Sequence, residues 1–143
     1  MKILIDGDAC PVINQAIEIA KKNKIIIKIF CDTSHIFTSD YAQIVTVSKG
    51  SDNVDFALVN CVIKEDIIVT QDYGLAAMGL AKGAFVLNEN GMIFNESNIE
   101  LLLDSRHFYK TLRKQGIHTK GKSKRNKAQD EAFKKALENL IRL

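Results

Sequence analysis

Short apolar runs alternate with longer amphipathic stretches along most of the chain. The runs are rich in β-branched residues and predict five buried strands, at residues 3–5, 25–30, 44–47, 67–69 and 84–87. Apolar residues at helical spacing predict five helices, at residues 11–23, 51–62, 75–81, 99–112 and 129–143. Strands that alternate with helices are typical of a mostly parallel sheet covered on both faces.

Turn-forming and capping residues mark the ends of these elements. Pro11 suits the first turn of the first helix, and Ser51 is predicted to cap the second. Asn90-Gly91 predicts a turn that returns residues 92–94 as a short antiparallel strand. We therefore predict an α/β fold, a single three-layer domain over residues 1–143. Its sheet would be mostly parallel, with about five strands, and helices would follow at the C-terminus.

Acidic side chains occur where the predicted strands end. Asp6 and Asp8 follow the first strand, and Asp72 follows the fourth. Asp52 and Asp55 open the helix after the third strand. Ligands of such sheets bind beyond the carboxyl ends of the strands, so these five carboxylates are expected to converge. Packed together they would repel one another, and a bound Mg²⁺ or Mn²⁺ ion would relieve that repulsion.

Several of these residues also have simpler explanations. The helix dipole alone accounts for an aspartate such as Asp52 near a helix N-terminus. Asp8 is equally suited to cap the first helix. Thr70 and Gln71 are expected either to satisfy loop backbone groups or to orient a water molecule beside the carboxylates. Metal binding remains the better explanation for the aspartates that directly follow strands.

Formal charge is distributed unevenly along the chain. Residues 1–104 carry 8 Lys/Arg and 14 Asp/Glu, whereas residues 105–129 carry 9 Lys/Arg and no acidic residue. Such a segment is either solvated surface or a site that neutralises nucleic-acid phosphates. The residues predicted to bind nucleic acid are Arg106, Lys110, Arg113, Lys114, Lys120, Lys122, Lys124, Arg125 and Lys127. Phe108 and Tyr109 are available for stacking on bases.

Other features exclude several classes of protein. No apolar run approaches the roughly 20 residues that span a bilayer, and acid follows the first apolar run too early for a signal peptide. We therefore predict a cytoplasmic protein with no membrane partner. The cysteines do not form a disulfide framework and are predicted to be structural: Cys10, Cys31 and Cys61. The histidines lack metal-ligand spacing, and we predict that none of them binds a metal: His35, His107 and His118.

Three motifs resemble those of the YaiI/YqxD family of bacterial proteins. DGDACPV at residues 6–12 resembles the family opening D-x-D-A-C-P-V, GSDNVD at residues 50–55 resembles G-x-D-x-x-D, and IVTQDYGLA at residues 68–76 resembles V-V-T-Q-D-x-x-L-A. The resemblance covers essentially the whole chain. That family is similar to PIN-like and NYN nuclease domains, which have a Rossmann-like sheet and an acidic metal site. The resemblance implies a site made of Asp6, Asp8, Asp55 and Asp72, with Asp52 close by.

Three functional hypotheses follow. The first is a divalent-metal-dependent nuclease acting on RNA, or less readily on DNA, whose metal-site aspartates are catalytic and whose segment 106–127 binds the substrate backbone. The second is a small-molecule phosphatase with Asp6 as nucleophile, Asp8 as acid/base and Thr70 as phosphate ligand, for which Lys82 is the candidate lysine. The third is a non-catalytic module that binds RNA or a protein on a nuclease-like scaffold.

Overall fold

The chain folds into alternating strands and helices, and the computed structural model describes residues 1–116 and 124–143, except the side chain of Phe108. The strands are β1 (Ile3–Asp6), β2 (Ile27–Asp32), β3 (Gln43–Val47), β4 (Ile67–Val69), β5 (Phe85–Leu87) and β6 (Ile93–Phe94). The helices are α1 (Ile13–Lys22), α2 (Asn53–Cys61), α3 (Tyr73–Ala81), α4 (Glu96–Lys114) and α5 (Lys127–Ile141). Each predicted strand and helix is present within a few residues of its expected bounds.

The strands form one sheet in the order β3-β2-β1-β4-β5-β6. β1 to β5 run parallel, and β6 pairs antiparallel with β5, as Asn90-Gly91 predicted. Ile5 of β1 pairs with Ile29 of β2 on one side and with Val69 of β4 on the other. β2 and β3 are added on one side of β1, and β4 and β5 are added on the other side. The direction in which strands are added therefore reverses at the boundary between β1 and β4. In open α/β sheets, ligands bind beyond the carboxyl ends of the strands at such a point.

Helices cover both faces of the sheet and enclose two hydrophobic cores. Alternate residues of a strand point to opposite faces, which gives each face its own apolar set. α1 and α5 cover one face, where Ile5 and Phe133 are buried. α2, α3 and α4 cover the other face, where Leu4, Leu58 and Ile99 are buried. This arrangement confirms the predicted three-layer α/β architecture with a mostly parallel sheet.

The start of α2 differs from the prediction. Ser51 is not its N-cap. That position belongs to Asp52, whose φ of 64° is left-handed and whose side chain makes no capping hydrogen bond. Asn53 holds the turn instead, because its backbone N–H donates to Gly50 O at 3.4 Å and its Nδ2 donates to Ser48 O at 3.0 Å. Asp52 thus occupies the N-cap position, as the dipole explanation expects, but its side chain does not bond the N–H groups of the first turn.

Other helix starts also depart from the sequence pattern. The suggestion that Asp8 caps α1 is wrong, because the N-cap of α1 is Val12 and no side chain caps it. α4 and α5 begin a few residues earlier than the apolar spacing predicts. Each begins with a reciprocal capping box, which satisfies N–H groups of the first turn. These boxes pair Asn95 with Asn98 and Asn126 with Gln129.

α4 contains 19 residues, close to the length that spans a bilayer. Its surface is amphipathic, however, and carries charged residues such as Glu96, Asp104 and Arg113. Of the helices in the described part of the chain, none combines membrane-spanning length with the apolar character that a crossing requires.

Candidate functional site

A pocket of ≈ 400 Å³ lies beyond the carboxyl ends of β1 and β4. We call it the acidic pocket. Its lining consists of Asp6, Asp8, Ala9, Gln71, Asp72, Tyr73 and Arg106. Asp6 is the last residue of β1, and Asp72 is the N-cap of α3, directly after the loop that follows β4. The structure therefore brings three of the five predicted aspartates to one pocket, at the point where the order of strands reverses.

Thr70 connects the two strand ends that carry these aspartates. The Thr70 side chain donates to Asp6 Oδ2 at 3.0 Å, and its Oγ1 accepts the Asp72 backbone N–H, also at 3.0 Å. Burial raises the pKa of Asp6; the charges of Asp8 and Asp72 raise it further, while the Thr70 hydrogen bond opposes these effects. The Gln71 side chain bonds the loop that follows β1, because its Nε2 donates to Ala9 O at 3.0 Å. Both side chains thus bond backbone groups of loops at the pocket.

Asp55 lies in the first turn of α2 and interacts electrostatically with the acidic pocket. Burial raises the pKa of Asp55 to about 6, and the charges of Asp72, Asp6, Asp52 and Asp8 contribute, in that order. The five predicted aspartates are therefore close enough for their charges to interact, although α2 adds no residue to the pocket lining. Such a high pKa means that burial and the neighbouring carboxylates disfavour the charged form of the Asp55 side chain.

Asp72 also has a structural role. Its Oδ1 accepts the backbone N–H groups of Gly74 at 2.8 Å and Leu75 at 3.2 Å, and so caps α3. Arg106 Nη1 of α4 lies 3.8 Å from the same oxygen. The described contacts of Asp72 thus use Oδ1, and any ligand bound by this carboxylate would be expected at Oδ2. The guanidinium of Arg106 places a positive charge at the rim.

A second group of possible ligands lies on the far side of Asp8. His35 Nδ1 is 3.1 Å from Asp8 Oδ1 and 3.6 Å from Asp32 Oδ1. Among the described residues, Asp8, Asp32 and His35 are the group with three ligand atoms within 4.8 Å of one another, and no set of predicted aspartates alone is so tight. Asp8 Oδ1 is shielded from solvent and accepts no well-aligned hydrogen bond from the described residues, despite the nearby imidazole.

Sequence patterns did not identify this group. Asp32 is the last residue of β2, two residues beyond the end of the predicted strand, and His35 lies in an irregular loop. His35 has no metal-ligand spacing along the chain, but the fold places it beside the carboxylates of Asp8 and Asp32. A general rule could have indicated Asp32. The carboxyl ends of the parallel strands β1 and β2 lie at the same edge of the sheet, so an acidic residue at the end of β2 lies near those that follow β1.

The basic residues of α4 form an exposed stripe that begins at the acidic pocket. Arg106, Lys110, Arg113 and Lys114 are all exposed. Their spacing of four, three and one places them along one side of the helix. From Arg106 to Lys114 the stripe rises about 12 Å. We call these four residues the α4 stripe.

The rest of the predicted basic surface is located elsewhere. α5 packs on the opposite face of the sheet from α4, so the described basic residues of these two helices lie on different faces. Lys127, the first residue of α5, lines a groove with Glu18, Asp130 and Glu131. Lys124 is exposed. Lys120, Lys122 and His118 lie outside the described residues, as does the side chain of Phe108.

Arg125 makes structural contacts. Its Nε donates to Asp130 Oδ1 at 2.7 Å, its Nη1 to Asn90 Oδ1 at 2.6 Å and its Nη2 to Glu89 O at 2.5 Å. The guanidinium thereby joins α5 to the turn between β5 and β6. Because its described bonds occupy all three nitrogens, Arg125 is a poor candidate for a phosphate ligand, contrary to the prediction from sequence.

Two further predictions concern Lys82 and the cysteines. Lys82 is the C-cap of α3, at the end opposite Asp72, and its Nζ donates to Val59 O at 2.9 Å. The phosphatase hypothesis requires a lysine near Asp6. α3 is about 14 Å long and Lys82 lies at its far end, so the structure does not bring this lysine to Asp6. Burial, with smaller contributions from Asp6 and Glu89, raises the pKa of Cys10 to about 11. Cys10 therefore remains a thiol, which agrees with a structural role.

Comparison with known proteins identifies relatives along the whole chain. A family model described as "Uncharacterized BCR, YaiI/YqxD family" matches residues 4–143. The chain is 50% identical over 137 residues to a UPF0178 protein of Ruminiclostridium cellulolyticum, covering 96% of this chain and 90% of that protein. It is 43% identical over 143 residues to a UPF0178 protein of Clostridium acetobutylicum, with coverage of 99% and 97%.

A third relative gives the same result. The chain is 46% identical over 145 residues to a UPF0178 protein of Lachnoclostridium phytofermentans, covering 99% of this chain and 97% of that protein. No solved structure matches the chain. The family match and the extent of these similarities confirm the resemblance that the three motifs indicated. This chain is therefore a member of the YaiI/YqxD family.

Proposed function

We propose that this protein is a nuclease that cleaves RNA, or less readily DNA, with Mg²⁺ or Mn²⁺ bound in the acidic pocket. The observation that carries the proposal is the meeting of Asp6, Asp8 and Asp72 around one pocket at the carboxyl ends of β1 and β4. Burial and neighbouring carboxylates raise the pKa of Asp6 and bring that of Asp55 to about 6. A divalent cation is the ligand that such a cluster would favour.

The donor chemistry of the pocket fits a hard divalent cation. Carboxylate oxygens are the ligands that Mg²⁺ and Mn²⁺ prefer. Asp8 Oδ1, which is shielded from solvent and lacks a well-aligned donor among the described residues, is the kind of atom that a cation would satisfy. Asp6, Asp8, Asp55 and Asp72 would hold the ion, and Asp52 would add negative charge nearby. Asp32 and His35 would extend the ligand set beyond Asp8.

A bound cation would supply Lewis acidity to the scissile phosphate and its leaving oxygen. The protein's own residues have separate tasks in the proposed reaction. Thr70 holds the Asp6 carboxylate in place through its hydroxyl, and Gln71 holds the loop that carries Asp8 and Ala9. Arg106, at the rim, binds the phosphate that enters the pocket, because a guanidinium pairs well with phosphate oxygens.

The α4 stripe provides a path for the substrate backbone. It extends about 12 Å from the acidic pocket, enough for the phosphates of about three nucleotides of one strand. Its charges would neutralise phosphates without reading sequence. Substrate affinity is therefore expected to fall with salt, with a slope in log–log form of about −2 for three phosphate contacts on a single strand. Lys110→Ala should reduce that slope by roughly 0.7.

Cleavage of labelled RNA and DNA in Mg²⁺ or Mn²⁺ tests the proposal directly. We expect wild-type protein to cleave RNA and Asp6→Asn to lose at least about a hundredfold in rate, because removing a charge from the site removes electrostatic stabilisation of the transition state. The matched control is Asp40→Asn, since Asp40 is 85% exposed and its ion pair with Lys21 spans 3.6 Å. Retained cleavage in Asp40→Asn together with its loss in Asp6→Asn also excludes a contaminating nuclease, which would be equally active in both preparations. Absence of cleavage of either nucleic acid would falsify the proposal.

A non-catalytic RNA-binding module is the second candidate, and one observation favours it. Asp72 Oδ1 already caps α3 and contacts Arg106, so this carboxylate has stabilising partners without a cation. This alternative predicts salt-sensitive RNA binding that is weakened by Lys110→Ala, together with no cleavage in any metal. A nuclease, by contrast, would keep RNA affinity in Asp72→Asn and lose turnover.

A further inference from the structure

A second, smaller pocket adjoins the acidic pocket. It measures ≈ 220 Å³ and is lined by Gln71, Tyr73, Asn88, Glu89 and Asn90. Gln71 and Tyr73 line both pockets. One pocket therefore lies beyond β1 and β4, and the other lies beyond β4 and β5. A ligand longer than one phosphate group can extend from the first into the second.

The amide side chains of the smaller pocket have defined orientations. Asn88 Oδ1 accepts the backbone N–H groups of Asn90 and Met92, each at 2.9 Å. Asn90 Oδ1 accepts from Arg125 Nη1 at 2.6 Å. Because both oxygens face protein donors, the Nδ2 groups of these two residues are the atoms that can donate to a ligand. Gln71 is oriented the other way, since its Nε2 donates to Ala9 O and its Oε1 is the available acceptor.

Tyr73 contributes an aromatic side chain to the lining of both pockets. It is the first residue of α3 and is half-buried. Its ring packs edge-to-face against Phe94, with centroids 5.9 Å apart and planes at 64°. Phe94 is 2% exposed, so this contact fixes the ring from the core side. A π surface with amide donors and an amide acceptor beside it is the combination that binds a nucleobase.

We propose that the pocket formed by Gln71, Tyr73, Asn88 and Asn90 binds one nucleobase of the substrate, and that the substrate is therefore single-stranded. The inference rests on the proposed function, because a phosphate in the acidic pocket is what places the adjoining base at Tyr73. A volume of ≈ 220 Å³ accommodates about seven water molecules, which suits one base and not a whole nucleotide. A base reaches such a pocket only when it is unstacked and unpaired.

Binding of uncleaved RNA tests this inference without any variant of the pocket. The ligands are a short labelled single-stranded RNA, the same RNA annealed to its complement, and an abasic oligomer with the same phosphates. All are measured with Ca²⁺, which takes the same oxygen ligands, in place of Mg²⁺ or Mn²⁺ to prevent cleavage. We expect the single strand to bind about tenfold more tightly than the abasic oligomer, since stacking of one base is lost. We also expect it to bind more tightly than the duplex. Equal affinity for the base-containing and abasic strands overturns the inference.

Variants then assign the effect to Tyr73. Tyr73→Leu is expected to lose about tenfold in affinity for the single strand and little for the abasic oligomer. Tyr73→Phe keeps the ring and should recover most of that affinity. Lys110→Ala is the matched comparison, because a phosphate contact weakens binding of both strands alike. If Tyr73→Leu weakens both strands to the same extent, Tyr73 does not read a base.

The two proposals fail separately. Discrimination between base-containing and abasic strands with no cleavage in Mg²⁺ or Mn²⁺ would retain the base pocket and remove the nuclease. Metal-dependent cleavage of the duplex at the rate of the single strand, with no such discrimination, would retain the nuclease and remove the base pocket.

Discussion

Two ends of the same pair of strands carry carboxylates in opposite situations. At the amino ends of β1 and β4, Asp66 is 1% exposed and well satisfied. Its oxygens accept the Lys2 N–H at 3.0 Å, the Ile63 N–H at 2.9 Å and the Lys2 ammonium at 2.5 Å. At the carboxyl ends, Asp6 shares a pocket with Asp8 and Asp72, and its described side-chain donor is the Thr70 hydroxyl.

The two carboxylates differ in their surroundings, although their positions in the sheet are alike. Both sites bring acid to the end of a buried strand, so position alone does not separate them. Asp66 is surrounded by donors and a cation, and its partners are internal to the fold. Asp6 is surrounded by other acids, and the ligand that would neutralise them has to come from outside. The carboxyl end of the sheet is also where backbone geometry leaves room for a ligand.

Removing the carboxylate at the amino end should have the largest effect on stability. Asp66→Ala is expected to lower the free energy of unfolding by about 3 kcal/mol, because it leaves two partly buried N–H groups and an ammonium without their acceptor. Urea denaturation measures the loss, and the midpoint of thermal unfolding should fall by about 6–12 °C. Asp40→Ala is the control, and should change stability by less than about 0.5 kcal/mol. A small loss in Asp66→Ala would contradict the contrast between the two ends.

Divalent metal should have the next largest effect, and only through the carboxyl end. At about 100 times its Kd, Mn²⁺ stabilises a protein by about 2.7 kcal/mol, which raises the midpoint here by about 5–10 °C. We expect Mn²⁺ to raise the midpoint of Asp66→Ala by the same amount, although the midpoint of this variant without metal is lower. Asp6→Asn should largely lose it. Calorimetric titration of the three proteins with Mn²⁺ checks the same point, and an equal response in all three would place the metal elsewhere or show its binding to be nonspecific.

The pH dependence of Asp55 provides the smallest and most local test. Its pKa is raised from 3.8 to about 6 in the folded protein, so the folded state holds this proton more tightly than the unfolded state. The stability that protonation contributes is complete below about pH 4 and is lost as pH rises through about 6. Because Asp55 is partly solvated, we expect only about 1 kcal/mol.

Asp55→Asn removes this dependence. In metal-free buffer the variant should be more stable than wild type by about 1 kcal/mol at about pH 7.5, and equally stable at about pH 4. Thermal unfolding across that range measures the difference. A variant less stable than wild type at neutral pH would show that Asp55 makes a favourable contact, and that the carboxylates do not repel one another.

Parts of the site could be predicted because they depend on local sequence. An apolar run followed by acid identifies a buried strand and the polar group at its end, which located Asp6 and Asp72. The same rule failed for Asp32, because pairing with β3 extends its strand two residues beyond the predicted end. Propensity predicts Ser51 as the cap of α2, whereas Asn53 bonds across the turn and the N-cap position falls one residue later, at Asp52.

The basic segment shows where local reasoning ends. Its nine positive charges are contiguous in sequence, yet α4 and α5 lie on opposite faces of the sheet. Arg125 looks like its neighbours in sequence, but the fold gives it a carboxylate, an amide oxygen and a carbonyl oxygen as partners. The sequence around Tyr73 does not indicate the proposed base pocket. Only the fold places Tyr73 in one pocket with the turn at residues 88–90.

By itself, the order of apolar and polar residues determined the elements, the parallel sheet and the edge at which acids accumulate, because backbone hydrogen bonding and burial act over short stretches of chain. Only the tertiary structure decided which charges meet. It joined Asp66 to Lys2, placed His35 beside Asp8 and divided the basic residues between two faces. Electrostatic interactions depend on distances through space, and residues separated by dozens of positions acquire those distances only when the sheet is assembled.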